Sequence, residues 1–280
     1  MIGKQKVHLC QPLSLNEIGL QLMNVEIKML KEFTPSQLIL VCGLPGTAYI
    51  GKLSVEYLTK ELKAELIGEV YSKYFPPFSV IKEDGLVELL RNELHQFKDE
   101  SGRTIVFLTG NSQAYSPEGQ YEIADAVLDW AIKNGVQRVY SIAAYLTERS
   151  FEAPNVYCST TTLALLEEAK AHGALLLNTG IIGGENGIIM GLAKKKNVEG
   201  LCLLAETRGY QTTTGEDVID PRAAKATLKV LTSMLNLKVD MEPMEKQAVQ
   251  MDEAIAKMVE IERRIREEIT RSGKKPAYVT

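Results

Sequence analysis

Gly46, Gly51 and Lys52 carry the spacing of a phosphate-binding loop, Gly-x4-Gly-Lys, and the stretch around them has the right context. Leu38-Ile-Leu-Val-Cys-Gly-Leu-Pro-Gly-Thr-Ala-Tyr-Ile-Gly-Lys52 reads as a buried strand, a Gly-Pro turn and a helix. Such a loop holds phosphate with backbone N–H groups and a Lys, and Mg²⁺ with a Ser or Thr hydroxyl. The hydroxyl position is Leu53, and Pro45 removes a backbone donor. No apolar strand ends in a Walker-B Asp. The turn therefore reads as a close approach of strand and helix that its glycines permit, with Gly43 and Gly46 also candidate pocket residues.

Asn178-Thr-Gly-Ile-Ile-Gly-Gly-Glu-Asn-Gly187 is a second glycine cluster between a strand and a helix. It belongs at the carboxyl edge of a sheet, where ligands of open α/β sheets bind. Gly180 and Gly183 are its candidate pocket residues, in a GxxGG order that departs from the dinucleotide fingerprint. Glu206 and Arg208, also candidate pocket residues, place opposite charges at another strand end, a position used in catalysis and, more often, in structural ion pairs. Asp217 and Asp220 read as turn and cap residues. His8, His95 and His172 lack a companion at metal spacing, and no Ser sits in a nucleophile elbow. No catalytic residue, metal site or cofactor is implied. A nucleoside or phosphometabolite pocket, binding or enzymatic, is the rival reading of the glycine-rich edge.

These residues have to be positioned by a chain of 280 residues, 45% apolar and 24% charged, with net charge −4. That is an ordinary globular composition, without the basic field of a nucleic-acid binder. Cys10, Cys42, Cys158 and Cys202 are scattered, which suits reduced thiols in a cytoplasmic protein. The first residues lack a signal peptide's apolar run, and no run approaches the ~18 residues of a membrane span.

Strand-like and helix-like segments alternate, which predicts an α/β layer architecture. Strands are expected at 25–30, 38–42, 64–70, 104–108, 136–143, 175–178 and 201–205, with a hairpin over 78–90. Helices are expected at 48–62, 116–133, 163–171, 186–196 and 221–235. Ser116 and Asp220, each followed by Pro, are N-cap signals. The composition shifts at Asp240-Met-Glu-Pro243. The reading divides the chain into a core domain (1–240), an amphipathic helix (241–271) and an extended tail (272–280). The helix carries Met244, Met251, Ile255, Met258 and Ile265 on a stripe that suits docking or oligomerisation and equally suits packing on its own domain. In the tail, Lys274, Lys275, Ala277, Tyr278, Val279 and Thr280 could anchor in a partner's pocket.

Taken together, these segments resemble the proteasome assembly chaperone 2 family in its prokaryotic branch, from about residue 25 to 237. The resemblance lies in Gly43-Leu-Pro-Gly-Thr-Ala-Tyr-Ile-Gly-Lys-Leu53, in Gly180-Ile-Ile-Gly183 with Gly187-Ile-Ile-Met-Gly191, and in Leu203-Leu-Ala-Glu-Thr-Arg-Gly209 with Asp220-Pro-Arg-Ala-Ala224. It implies a three-layer α/β/α fold with a mainly parallel mixed sheet, similar to nucleoside phosphorylases, to which the long C-terminal helix is added. It also implies a non-enzymatic, oligomeric chaperone that binds proteasome α subunits, alone or with a second family member. Some relatives end in a hydrophobic-Tyr-any tail that enters pockets between α subunits. Here Tyr278 is third from the end, one residue displaced from that pattern. A scaffold that self-assembles through the long helix alone is the other rival reading.

Overall fold

The computed structural model describes residues 24–148, 153–209 and 218–272. The first half runs β1 (Val25–Met29), β2 (Ile39–Cys42), α1 (Ile50–Glu61), β3 (Glu65–Ser72), β4 (Ser79–Ile81), β5 (Val87–Leu89), β6 (Asn92–Lys98), β7 (Thr104–Gly110) and α2 (Pro117–Lys133). The second runs β8 (Arg138–Leu146), β9 (Val156–Thr160), α3 (Leu163–Ala171), β10 (Leu175–Leu176), α4 (Gly184–Lys195), β11 (Glu199–Thr207), α5 (Pro221–Leu235) and α6 (Glu242–Ser272).

Nine strands form one sheet in the order β1-β3-β6-β7-β2-β8-β11-β9-β10. The centre, β7-β2-β8-β11, is parallel. β1, β3 and β6 continue it antiparallel on one flank. β9 is antiparallel to β11 on the other, with β10 parallel to β9. β4 and β5 stand apart as a hairpin.

The central strands are apolar on both sides because both sides are covered. Along β7, Ile105 and Phe107 face a core shared with α1, α3 and α5, while Val106 and Leu108 face a core shared with α2 and α4. The expected α/β/α layering is therefore present. α2 and α5 each start where a side chain accepts one of their free N–H groups. Ser116 Oγ accepts from Gly119 N at 3.1 Å, and Asp220 Oδ1 accepts from Ala223 N at 3.0 Å.

α6 starts inside the core. Met244 and Ala248 are buried, and Met251 is half-buried. Lys225 on α5 pairs with Glu245. Met244 is thus withdrawn from the docking stripe, because the first turns of α6 pack against α5.

Candidate functional site

The turn after β2 is built from close contacts. Gly43 N donates to Leu108 O at 2.9 Å. A Cβ on Gly43 would lie 2.2 Å from Gly51 O, and one on Gly51 would lie 2.7 Å from Ile142 O. The glycines let α1 sit directly on β2 and β8. Lys52 does not turn into the loop. Its Nζ donates to Gly110 O and Asn111 Oδ1, each at 3.1 Å, and pairs with Glu56 at 3.3 Å. A lysine committed to the end of β7 is not poised for a phosphate.

The start of α4 is fastened to two other loops. Asn186 Nδ2 donates to Leu44 O, and Leu44 N donates to Asn186 Oδ1, both at 3.2 Å. Gln113 Nε2 donates to Pro45 O, and Glu185 N donates to Gln113 Oε1 at 2.7 Å. Ala114 N donates to Glu185 Oε1 at 2.6 Å.

Glu185 is almost fully enclosed, at 2% exposure. Burial pushes its carboxyl up to about 8, against the opposing effect of the Ala114 N–H bond. Its other oxygen has no hydrogen-bond partner among the described residues. Burial, with Glu185 as a smaller cause, also pushes the Cys42 thiol up. A neutral acid and an inert thiol thus lie beneath the loops. Sequence reasoning missed Glu185, since an acid in the first turn of a helix normally just complements the dipole.

The loops border a cavity of about 520 Å³ at the carboxyl ends of β2, β8 and β11. Gly46 and Thr47 line it from the first glycine cluster, residues 180–184 from the second, and residues 142–146 from β8. The structure therefore brings Gly46, Gly180 and Gly183 together. Gly43 stays behind them as a packing residue, and neither Glu206 nor Arg208 lines the cavity. Glu206 instead accepts from Asn155 N at 2.9 Å and from the Tyr157 hydroxyl at 3.1 Å. That makes it a structural residue joining β11 to β9.

Among the described residues no charged side chain lines the cavity. The described residues hold no cluster of three His, Cys, Asp or Glu able to bind a metal. The described lining suits a neutral ligand or the packing of loops, and it offers no cation to a phosphate group.

Apolar surface is concentrated on the β4–β5 hairpin, where Ile81, Val87 and Leu89 are each more than 60% exposed. Exposed apolar patches of this kind mark interaction sites. The sequence pattern predicts the hairpin and gives no sign that its side chains stay uncovered. On α6, Ile261 is 56% exposed. The side chains of Ile255, Met258 and Ile265 lie outside the described residues, as do Lys274, Lys275, Ala277, Tyr278, Val279 and Thr280.

The model of the PAC2 family matches residues 40–259. An uncharacterised protein of Methanocaldococcus jannaschii is 31% identical over 243 residues, covering 86% of this chain and 91% of the relative. Among solved structures, Pyrococcus furiosus PbaB, described as an archaeal proteasome activator, superposes with a TM-score of 0.77 at 28% identity, over 84% of this chain and 98% of PbaB. PbaA of the same organism, described as an archaeal homolog of proteasome-assembly chaperone, gives 0.70 at 27% identity, over 89% and 98%.

Proposed function

The chain belongs to the PAC2 family, and on that premise we propose that it is a non-enzymatic assembly factor that self-associates and binds proteasome α subunits through its C-terminal end. The family match and the similar structures support a chaperone-like role. One observation carries the reading: the fold is shared over nearly the full length of two archaeal proteins, one described as a proteasome activator and one as a homolog of proteasome-assembly chaperone. Among the described residues the cavity lining also lacks the cation that the rival reading of a phosphometabolite site would use.

The tail supplies the contact in this proposal. Tyr278 would fill a pocket between α subunits, and the terminal carboxylate would meet a lysine of the ring. Lys274 and Lys275 would meet acidic groups at its rim. No described helix is long and apolar enough to cross a membrane, and the proposed place of action is the cytoplasm. Greater similarity to PbaB than to PbaA favours a second reading, activation of the finished particle by the same contact.

Native mass spectrometry with α subunits of the same organism tests both. Full-length chain and a chain ending at Gly273 are compared. Complexes lost on truncation support tail-mediated binding. Complexes that survive it move the contact to the core or to α6, and no complex with either chain refutes the proposal. Faster peptide hydrolysis by the assembled particle, without faster assembly, would select the activator reading.

A further inference from the structure

Among the described residues the sheet has two open edges: β10 is two residues long, and β1 is five residues long with no described strand on its outer side. An uncovered edge of that length exposes a row of unpaired backbone groups.

Flanking hydrogen bonds decide which groups face outward. Leu30 N donates to Ile67 O at 2.8 Å, and Lys73 N donates to Asn24 O at 3.0 Å. β1 and β3 keep one register between these points, from Val25 opposite Ser72 to Met29 opposite Gly68. Bonded and non-bonded pairs alternate along an antiparallel ladder. Even-numbered residues of β1 therefore bond β3, while Val25, Ile27 and Met29 point their N–H and C=O groups away from the sheet.

The side chains alternate as well. Val25, Ile27 and Met29 pack on the core beneath α2. Glu26 and Lys28 are exposed on the opposite face. Glu26 has no ion-pair partner among the described residues, and Lys28 reaches Glu69 only at 4.0 Å.

We propose that β1 pairs antiparallel with β1 of a second copy of this chain, about a two-fold axis through Ile27. This rests on the self-association proposed above and says where it happens. In that register Val25 faces Met29 of the other copy, and Glu26 faces its Lys28. Each Glu26–Lys28 pair falls on a non-bonded position, where facing side chains are closest. Moving the axis by one residue would set Glu26 against Glu26 or Lys28 against Lys28. The charges therefore select a single register. A strand complementary to itself is the mark of an isologous contact, which is why the occupant is a second copy.

The test is sedimentation equilibrium of the full chain as wild type, Glu26→Lys, Lys28→Glu and the double exchange. Both side chains are exposed, and an unchanged Tm confirms that each variant folds. Each single variant should raise the dimer dissociation constant about tenfold, and the double exchange should return it toward the wild-type value. Ile27→Pro should also weaken the dimer while sparing the β3 ladder, because the lost N–H faces outward. An oligomer indifferent to all four variants overturns this contact and leaves self-association standing. A double exchange as weak as the singles overturns the register and with it the proposal. A monomeric wild type overturns the contact and self-association together. A monomer whose Ile27 amide resists hydrogen exchange would show another segment of the same chain on this edge, which also overturns it.

Discussion

Asn186 and Leu44, 142 residues apart in sequence, exchange two hydrogen bonds of 3.2 Å and so tie the start of α4 to the turn after β2. Both bonds are buried. Asn186→Ala would strand the Leu44 N–H and C=O, at about 2 kcal/mol for the unsatisfied pair. Urea unfolding should show that loss as a lower midpoint with an unchanged slope. If the cavity is a by-product of loop packing, binding to α subunits at equal folded fraction should not change.

Glu185 supplies a prediction in pH. Burial lifts its folded pKa from the ordinary 4.5 to about 8, so the folded state holds the proton more tightly. The stability this gives is fully present below pH 4.5 and is lost as pH rises toward 8. Glu185→Gln keeps an acceptor for the Ala114 N–H and cannot ionise. Its advantage over wild type should appear above pH 4.5, grow through neutrality and level off beyond pH 8, reaching on the order of 5 kcal/mol. Thermal melts of both proteins from pH 5 to 9 read this directly. Parallel curves would show that Glu185 is not buried as described.

Two glycines should respond in opposite directions. A methyl on Gly43 would lie 2.2 Å from the Gly51 carbonyl and 2.4 Å from Val55 Cγ2. Backbone has to shift to admit it, so Gly43→Ala should cost about 3 kcal/mol. Gly191 lies within α4 with nothing within 4 Å of its absent Cβ. Gly191→Ala should stabilise by roughly 0.5–1 kcal/mol through helix propensity alone. Chemical denaturation of the two variants side by side distinguishes a packing glycine from a dispensable one.

The contrast also shows what the sequence carries. Local signals were legible: the uninterrupted apolar run of β7, the caps at Ser116 and Asp220, and the turn between β4 and β5. The strands β6 and β9 were not. β6 reads Asn-Glu-Leu-His-Gln-Phe-Lys, a polar run that pairs only because β3 and β7 flank it. β9 is five residues, Val-Tyr-Cys-Ser-Thr, held between β11 and β10. At the site, both glycine clusters were recognisable, and Gly46, Gly180 and Gly183 do share a cavity. Glu206 was read as a pocket residue, but its partners come from β9, which local pattern did not reveal. Glu185 is enclosed by a loop 71 residues away, and nothing local to it carries that information.

The last prediction concerns nucleotides. The Gly46–Lys52 spacing suggests a phosphate loop, while the structure commits the lysine to Gly110 O, Asn111 and Glu56. Thermal-shift titrations with ATP and Mg²⁺, and with inorganic phosphate, should therefore give no saturable stabilisation. Lys52→Met should lower stability by about 1 kcal/mol, the scale of a lost hydrogen bond to a carbonyl, whether or not nucleotide is present. A saturable ATP-dependent rise in Tm that disappears in Lys52→Met would mean that the lysine leaves β7 to meet a phosphate. The missing hydroxyl at Leu53 would then have to be replaced by another Mg²⁺ ligand. Without such a rise, Gly43, Gly51 and Lys52 serve one purpose, the close seating of α1 across β2, β7 and β8.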